Sequence, residues 1–234
     1  MDAAEEILQK VREILQKMQN GVDAFIDAVN STLSRIPDFL DWIFDEVKKF
    51  WDKLVAKLKE FWDWFVDKLS YVGNPFMLGG AAGTWREVGG LVANQQREVD
   101  DSDLTIDDNW SGRGADQYKQ SLPPQRDAMK SIDTDFANNI AGGLTQLAVA
   151  IGIFWGLVVT AILTCVIGIS VATGAAVSIL GLPAAPPAVY IAVTAAIVQL
   201  TTGTIQLVAQ AAMVNDTMGK TRSGIQTWPA FVTG

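Results

Sequence analysis

The sequence predicts an all-α protein built from amphipathic N-terminal helices, a helical hairpin around a Trp-x-Gly turn, and a long apolar transmembrane helical hairpin. Three observations carry that expectation. No Asp, Glu, Lys or Arg occurs from Phe136 to Asn215, and a bilayer core takes only about 20 apolar residues per helix. Before that run, apolar residues recur at spacings of three, four and seven, the period of a helix with one greasy face. Gly73-Asn74-Pro75 and the cluster Pro183, Pro186 and Pro187 punctuate these patterns. The expected boundaries are amphipathic helices over 1–72 with a kink near 35–37, the Trp-x-Gly hairpin over 73–141, the transmembrane hairpin over 142–214, and a tail over 215–234.

Composition narrows the function classes. The chain has 234 residues, 49% of them apolar and 19% charged, against about 25% charged in soluble domains. A net charge of −8 offers no basic face for phosphates, so nucleic acid is not an expected partner. Histidine is absent and Cys165 is the sole cysteine, so neither an intrachain disulfide nor a zinc site is expected. Without His for general-base work, or a Gly-rich phosphate loop after a strand, no catalytic residues, no cofactor and no enzymatic activity are expected. The N-terminus, MDAAEEILQK, has no basic region followed by an apolar one and is not expected to be a conventional signal peptide.

In chain order, two heptads open the pattern, EILQKVR at Glu6 and EILQKMQ at Glu13, with Ile7, Val11, Ile14 and Met18 on one stripe. The pattern loosens near Asn20-Gly21, and Pro37 is expected to break the helix close to Arg35. A period of eleven follows, beginning at Phe39, Phe50 and Phe61 with Asp41, Asp52 and Asp63 two places later. Eleven residues are about three turns, so a helix from Asp38 to about Ser70 keeps a stripe through Leu40, Ile43, Val47, Leu54, Leu58, Phe61, Phe65 and Leu69. Trp42, Trp51, Trp62 and Trp64 on this helix admit two readings: cover for the core of a helical bundle, or candidate membrane-interface aromatics flanked by lysines. Beyond Pro75 a helix to about Val99 carries Leu78, Trp85, Val88, Leu91 and Val92; an acidic hinge from Asp100 to Asn109 comes next. The following helix starts near Ser111, is expected to break at Pro123-Pro124, and resumes its period at Met129, Ile132, Phe136 and Ile140.

Trp110-Ser111-Gly112, followed by Gly114-Ala115-Asp116-Gln117-Tyr118, resembles the WXG/ESX family of helical hairpins exported by type VII secretion systems. Asn74-Pro75, Ala81-Ala82 and Trp85 are similar to the opening helix of actinobacterial members, so the resemblance covers about residues 74–140. It implies two antiparallel helices joined at Trp110 and Gly112, with Trp110 buried between them, and a WXG-family partner protein. The family's export signal, a Tyr followed four residues later by an acid, is missing: Tyr118 is followed at that spacing by Leu122. Export by that route would therefore depend on a partner carrying the signal.

The uncharged half contains two apolar runs, Gly142 to Leu182 and Ala188 to Val214. In the first, Ala148, Gly152, Gly156, Thr160, Thr164, Gly168, Ala172 and Ala176 recur every fourth residue. Such ladders let backbones approach where lipid tails leave no hydrophobic drive between helices. Gly152, Gly156 and Gly168 are the expected helix-packing positions, either between the two arms or between copies of the chain. Gln146, Gln199, Gln206 and Gln210 are then candidates for a wet lumen. Lys119, Arg126 and Lys130 before the hairpin, with Lys220 and Arg222 after it, place both ends on the cytoplasmic side by the positive-inside rule. The expected function is a membrane-inserting, pore-forming or permeabilising protein of a type VII-like system, located in a membrane, with the lipid bilayer and further copies of itself as partners. A resident anchored scaffold is the alternative.

Overall fold

The computed structural model describes residues 3–68, 73–99 and 109–224. Among them the chain is helical throughout, with no strand. In order the elements are α1 (Ala3–Leu33), a 3₁₀ turn (Asp38–Leu40), α2 (Trp42–Lys68), α3 (Pro75–Glu98), α4 (Arg113–Ser131), a π-helical stretch (Ile132–Ala137), α5 (Asn138–Ala176), a second 3₁₀ turn (Leu182–Ala184) and α6 (Ala185–Gly224).

Local chemistry explains most boundaries. α1 ends at Leu33, short of Pro37, as the restricted geometry ahead of proline requires. It passes through Asn20-Gly21 without a break. Asn74 caps α3 by accepting from the N–H groups of Phe76 (2.9 Å) and Met77 (3.2 Å), with Pro75 in the first turn where its missing donor is no loss. Pro186 and Pro187 sit likewise in the first turn of α6. Pro123-Pro124 do not interrupt α4, contrary to the sequence expectation. Both are exposed, so their rings sit on the outer side of the helix and displace no packed side chain. Leu69 and the acidic run from Asp100 to Asp103 lie outside the described residues.

By packing, the chain forms two compact units, Met1–Gly73 with Ile151–Leu207, and Asn74–Ala150 with Val208–Gly234. α5 and α6 contribute to both units. In the first unit α1 and α2 turn their apolar stripes inward. Val11, Met18, Phe25, Ile43, Leu54 and Phe61 are fully buried, the predicted period of both helices. The eleven-residue repeat is less faithful: Phe61 is buried, Phe50 half-buried, and Phe39 is 80% exposed in the turn ahead of α2. Phe25 stacks on Trp51 at 6.2 Å, and Trp64 meets Phe154 of α5 at 6.3 Å.

In the second unit α3 packs against α4 and the π-helical stretch. Trp85 meets Phe136 edge-on at 5.5 Å. Gly89 is a required small residue there, because an added Cβ would lie 2.6 Å from Asp133 Oδ1 and 3.0 Å from Ala137 Cβ. Arg86 Nη2 donates to Thr145 Oγ1 at 2.9 Å.

Candidate functional site: the apolar hairpin and the Trp-x-Gly turn

α5 and α6 are long and apolar enough to cross a membrane. Their arms meet in an antiparallel pair about the turn at Leu182–Ala184: Gly168 opposes Ala192, and Gly203 opposes Leu157 and Phe154. A Cβ added at Gly168 would fall 2.3 Å from that of Ala192, so the backbones approach as the small-residue argument expects. Buried Cys165 donates its thiol to the Ala192 carbonyl in the same seam (3.9 Å).

The eight-residue ladder does not form one face. A step of four residues turns about 40° past a full circle in an α-helix, so the five steps from Gly152 to Ala172 swing about 200°. Ala172 and Ala176 are buried and Gly168 packs on Ala192, whereas Gly152 and Gly156 are exposed with nothing within 4 Å of an added Cβ. Of the three expected packing glycines, the structure brings only Gly168 into contact.

Sequence reasoning missed the stripe that faces outward. Val149, Ile153, Leu163, Ile167 and Val171 on α5 are exposed large apolar side chains at alternating helical spacings, beside Gly152 and Gly156. Ile191, Val198 and Ile205 are their counterparts on α6. Only 39% of the most apolar window of the first span and 33% of the second are buried. A core helix of a water-soluble protein buries most of such a window; these bury a minority of it. The signal for the stripe was present as a 3.6-residue period, masked by the more conspicuous period of four.

Gln199, Gln206 and Gln210 fall at spacings of seven and four on one face of α6. Gln206 and Gln210 are exposed, as is Gln146 on α5, while the amide oxygen of half-buried Gln199 has no partner.

One end of the first unit gathers two turns. α2 touches the turn Leu182–Ala184, and its other end lies at Phe154 through Trp64. The 22 residues from Trp64 back to Trp42 rise about 33 Å, the same as those from Phe154 to Ala176. The turn before α2 and the turn between α5 and α6 therefore share an end. Phe39 and Trp42 from one, and Val177 and Leu180 (87%) from the other, are exposed there. Of the expected interface aromatics, Trp42 belongs to this end. Trp51, Trp62 and Trp64 are half-buried in the helical packing, on Phe25, Phe61 and Phe154 respectively.

At the Trp-x-Gly turn, Gly112 has φ +99°, a left-handed conformation that favours glycine, and directly precedes α4. Trp110 is 49% exposed, which overturns the expected burial between two helices. Its ring lies on the first turns of α4 instead, 5.9 Å from the Tyr118 ring and against Gly114, where a Cβ would sit 3.0 Å from the indole. The aromatic contact that α3 does make is between Trp85 and Phe136 of the π-helical stretch. Among the described residues, no group of three acidic or thiol side chains could hold a metal ion. No protein-family model, curated protein or solved structure matches the chain.

Proposed function

We propose that this is a non-catalytic, membrane-inserting helical protein that permeabilises bilayers, with the α5–α6 hairpin as its inserting element and homo-oligomers as its working form. The observation that carries this reading is the hairpin's composition and partial exposure: one charge-free run from Phe136 to Asn215 supplies two segments of bilayer length, and only 39% and 33% of their most apolar windows are buried. Neutral Val177 and Leu180 at the tip suit entry, because a turn without charge crosses hydrocarbon at least cost. Gly152 and Gly156 give neighbouring copies a place of close approach, and the glutamine face of α6 gives an assembly a polar lining.

Insertion constrains the rest of the first unit. α2 lies along the hairpin for about 33 Å and carries twelve charged residues, α1 eight more. A charge at mid-membrane costs about 2.5–3.5 kcal/mol on insertion scales, so dragging in only six would cost about 15–20 kcal/mol. α1 and α2 stay out of the hydrocarbon.

The link to a type VII-like secretion system and a WXG-family partner rests on the sequence resemblance over about residues 74–140 alone, and exposed Trp110 lends it no packing support. The membrane reading stands without it. A resident anchored scaffold is the second reading, favoured by the basic residues Lys119, Arg126, Lys130, Lys220 and Arg222 flanking both ends of the hairpin. Dye-loaded phosphatidylcholine vesicles separate the two. Protein purified without detergent releases the dye if it inserts; protein obtained only in detergent, and silent on vesicles, is an anchor.

A further inference from the structure

We propose that the inward apolar face of α1 and α2 is a second lipid-binding surface, which meets the bilayer interface once the pair separates from the hairpin. This rests on the reading of α5–α6 as membrane-inserting and names what that reading requires of the other two helices. The outer faces of α1 and α2 are charged and exposed, with ion pairs such as Lys10–Glu6 and Lys59–Asp63 formed within each helix. They cannot follow the hairpin into hydrocarbon.

No ion pair joins the pair to the hairpin. The hairpin has no charged residue from Phe136 to Asn215, so its contacts with α1 and α2 over Ile151–Leu207 include no ion pair by composition. The seam is apolar, with Trp64 on Phe154 and Ile169 Cγ2 placed so that a Cβ added at Gly21 would lie 3.4 Å from it. Acyl chains offer the hairpin equivalent contacts, whereas water offers none to the uncovered stripes of α1 and α2. The parts of those stripes that meet the hairpin, around Gly21 on α1 and Trp64 on α2, then need a new apolar partner.

The margins of the stripe suit a membrane interface. Trp51, Trp62 and Trp64 are half-buried between the apolar and charged faces, and Lys53 extends beside them with its ammonium 5.5 Å from the Phe50 ring. An amphipathic body with Trp at its border and lysines beyond is how a helix lies in the headgroup region.

The test is a reversible lock. In a Cys165→Ala background, Gly21→Cys with Ile169→Cys places a disulfide across the seam, and Gly21→Ser with Ile169→Ser is the control that carries similar bulk without a lock. Helical content by circular dichroism is checked in both redox states. The reduced protein is expected to release dye from phosphatidylcholine vesicles, and the oxidised protein to lose that activity and regain it on reduction. Equal release by the locked protein overturns the inference while leaving hairpin insertion intact. No release in any state, wild type included, overturns both. A fluorophore at Val22→Cys, in the same background without the lock, reads the destination. Quenching by brominated phosphatidylcholine is expected on insertion; quenching by aqueous iodide instead shows the face in water and overturns the lipid assignment.

Discussion

Gly168 and Gly152 are the same residue type in the same helix, yet their surroundings set opposite outcomes for substitution. At Gly168 a methyl group would overlap Ala192. Gly168→Leu is therefore expected to destabilise the protein by at least the 1–3 kcal/mol typical of overpacking. At Gly152 and Gly156 the space is open, and alanine should stabilise each site by about 0.5–1 kcal/mol through helix propensity. Denaturant unfolding followed by circular dichroism distinguishes the sites. Trp110 supplies a second contrast. Lying half-exposed on Tyr118, it should cost about 1 kcal/mol when changed to alanine, whereas Phe61→Ala should cost about 3–5 kcal/mol as a buried aromatic. Equal losses would place Trp110 in a core it does not occupy here. The Trp-x-Gly spacing revealed a turn in sequence and Gly112 takes a turn conformation. Which aromatic fills the helix–helix contact was not legible, because Trp85 and Trp110 are both indoles and only the three-dimensional path selects Trp85.

At the scale of elements, periodicity was the reliable guide. The stripes of α1 and α2 through Val11, Met18, Ile43, Val47 and Leu54 are buried as their spacing required. The proline turn joining α5 to α6 also follows from the sequence pattern. Two features misled. Pro123-Pro124 looked like a break, but an exposed helix face tolerates the lost backbone bonds. The period-four ladder looked like one face, but helical geometry rotates it from the exposed side to the seam. The shared end of the first unit was invisible in sequence, since the turns at Phe39 and Leu180 are about 140 residues apart. As an inserting tip it yields a prediction. Leu180→Asp should leave helical content unchanged, because Leu180 is almost entirely exposed, and should strongly reduce vesicle dye release by adding a charge that must cross. Undiminished release would show that another part of the chain enters first.

For the whole molecule, the proposed function has the exposed apolar stripe face lipid, further copies of the chain, or both. Gly152→Leu with Gly156→Leu tests the contribution of copies. The double variant should keep its fold, given the open space at both sites, and shift the mass measured in nanodiscs from oligomer toward monomer. A monomeric wild type at high protein-to-lipid ratio would remove the oligomer from the proposal and leave the hairpin as an anchor. The lipid-facing claim is the more basic one and is tested most directly by a nitroxide at Ile167→Cys in a Cys165→Ala background. Ile167 lies on the outward stripe, two residues from the buried seam at Cys165. With the protein in phosphatidylcholine vesicles, the account predicts high collision rates with oxygen and low rates with a water-soluble nickel chelate, the signature of a hydrocarbon environment. Nickel accessibility at the level of a water-exposed helix would contradict it.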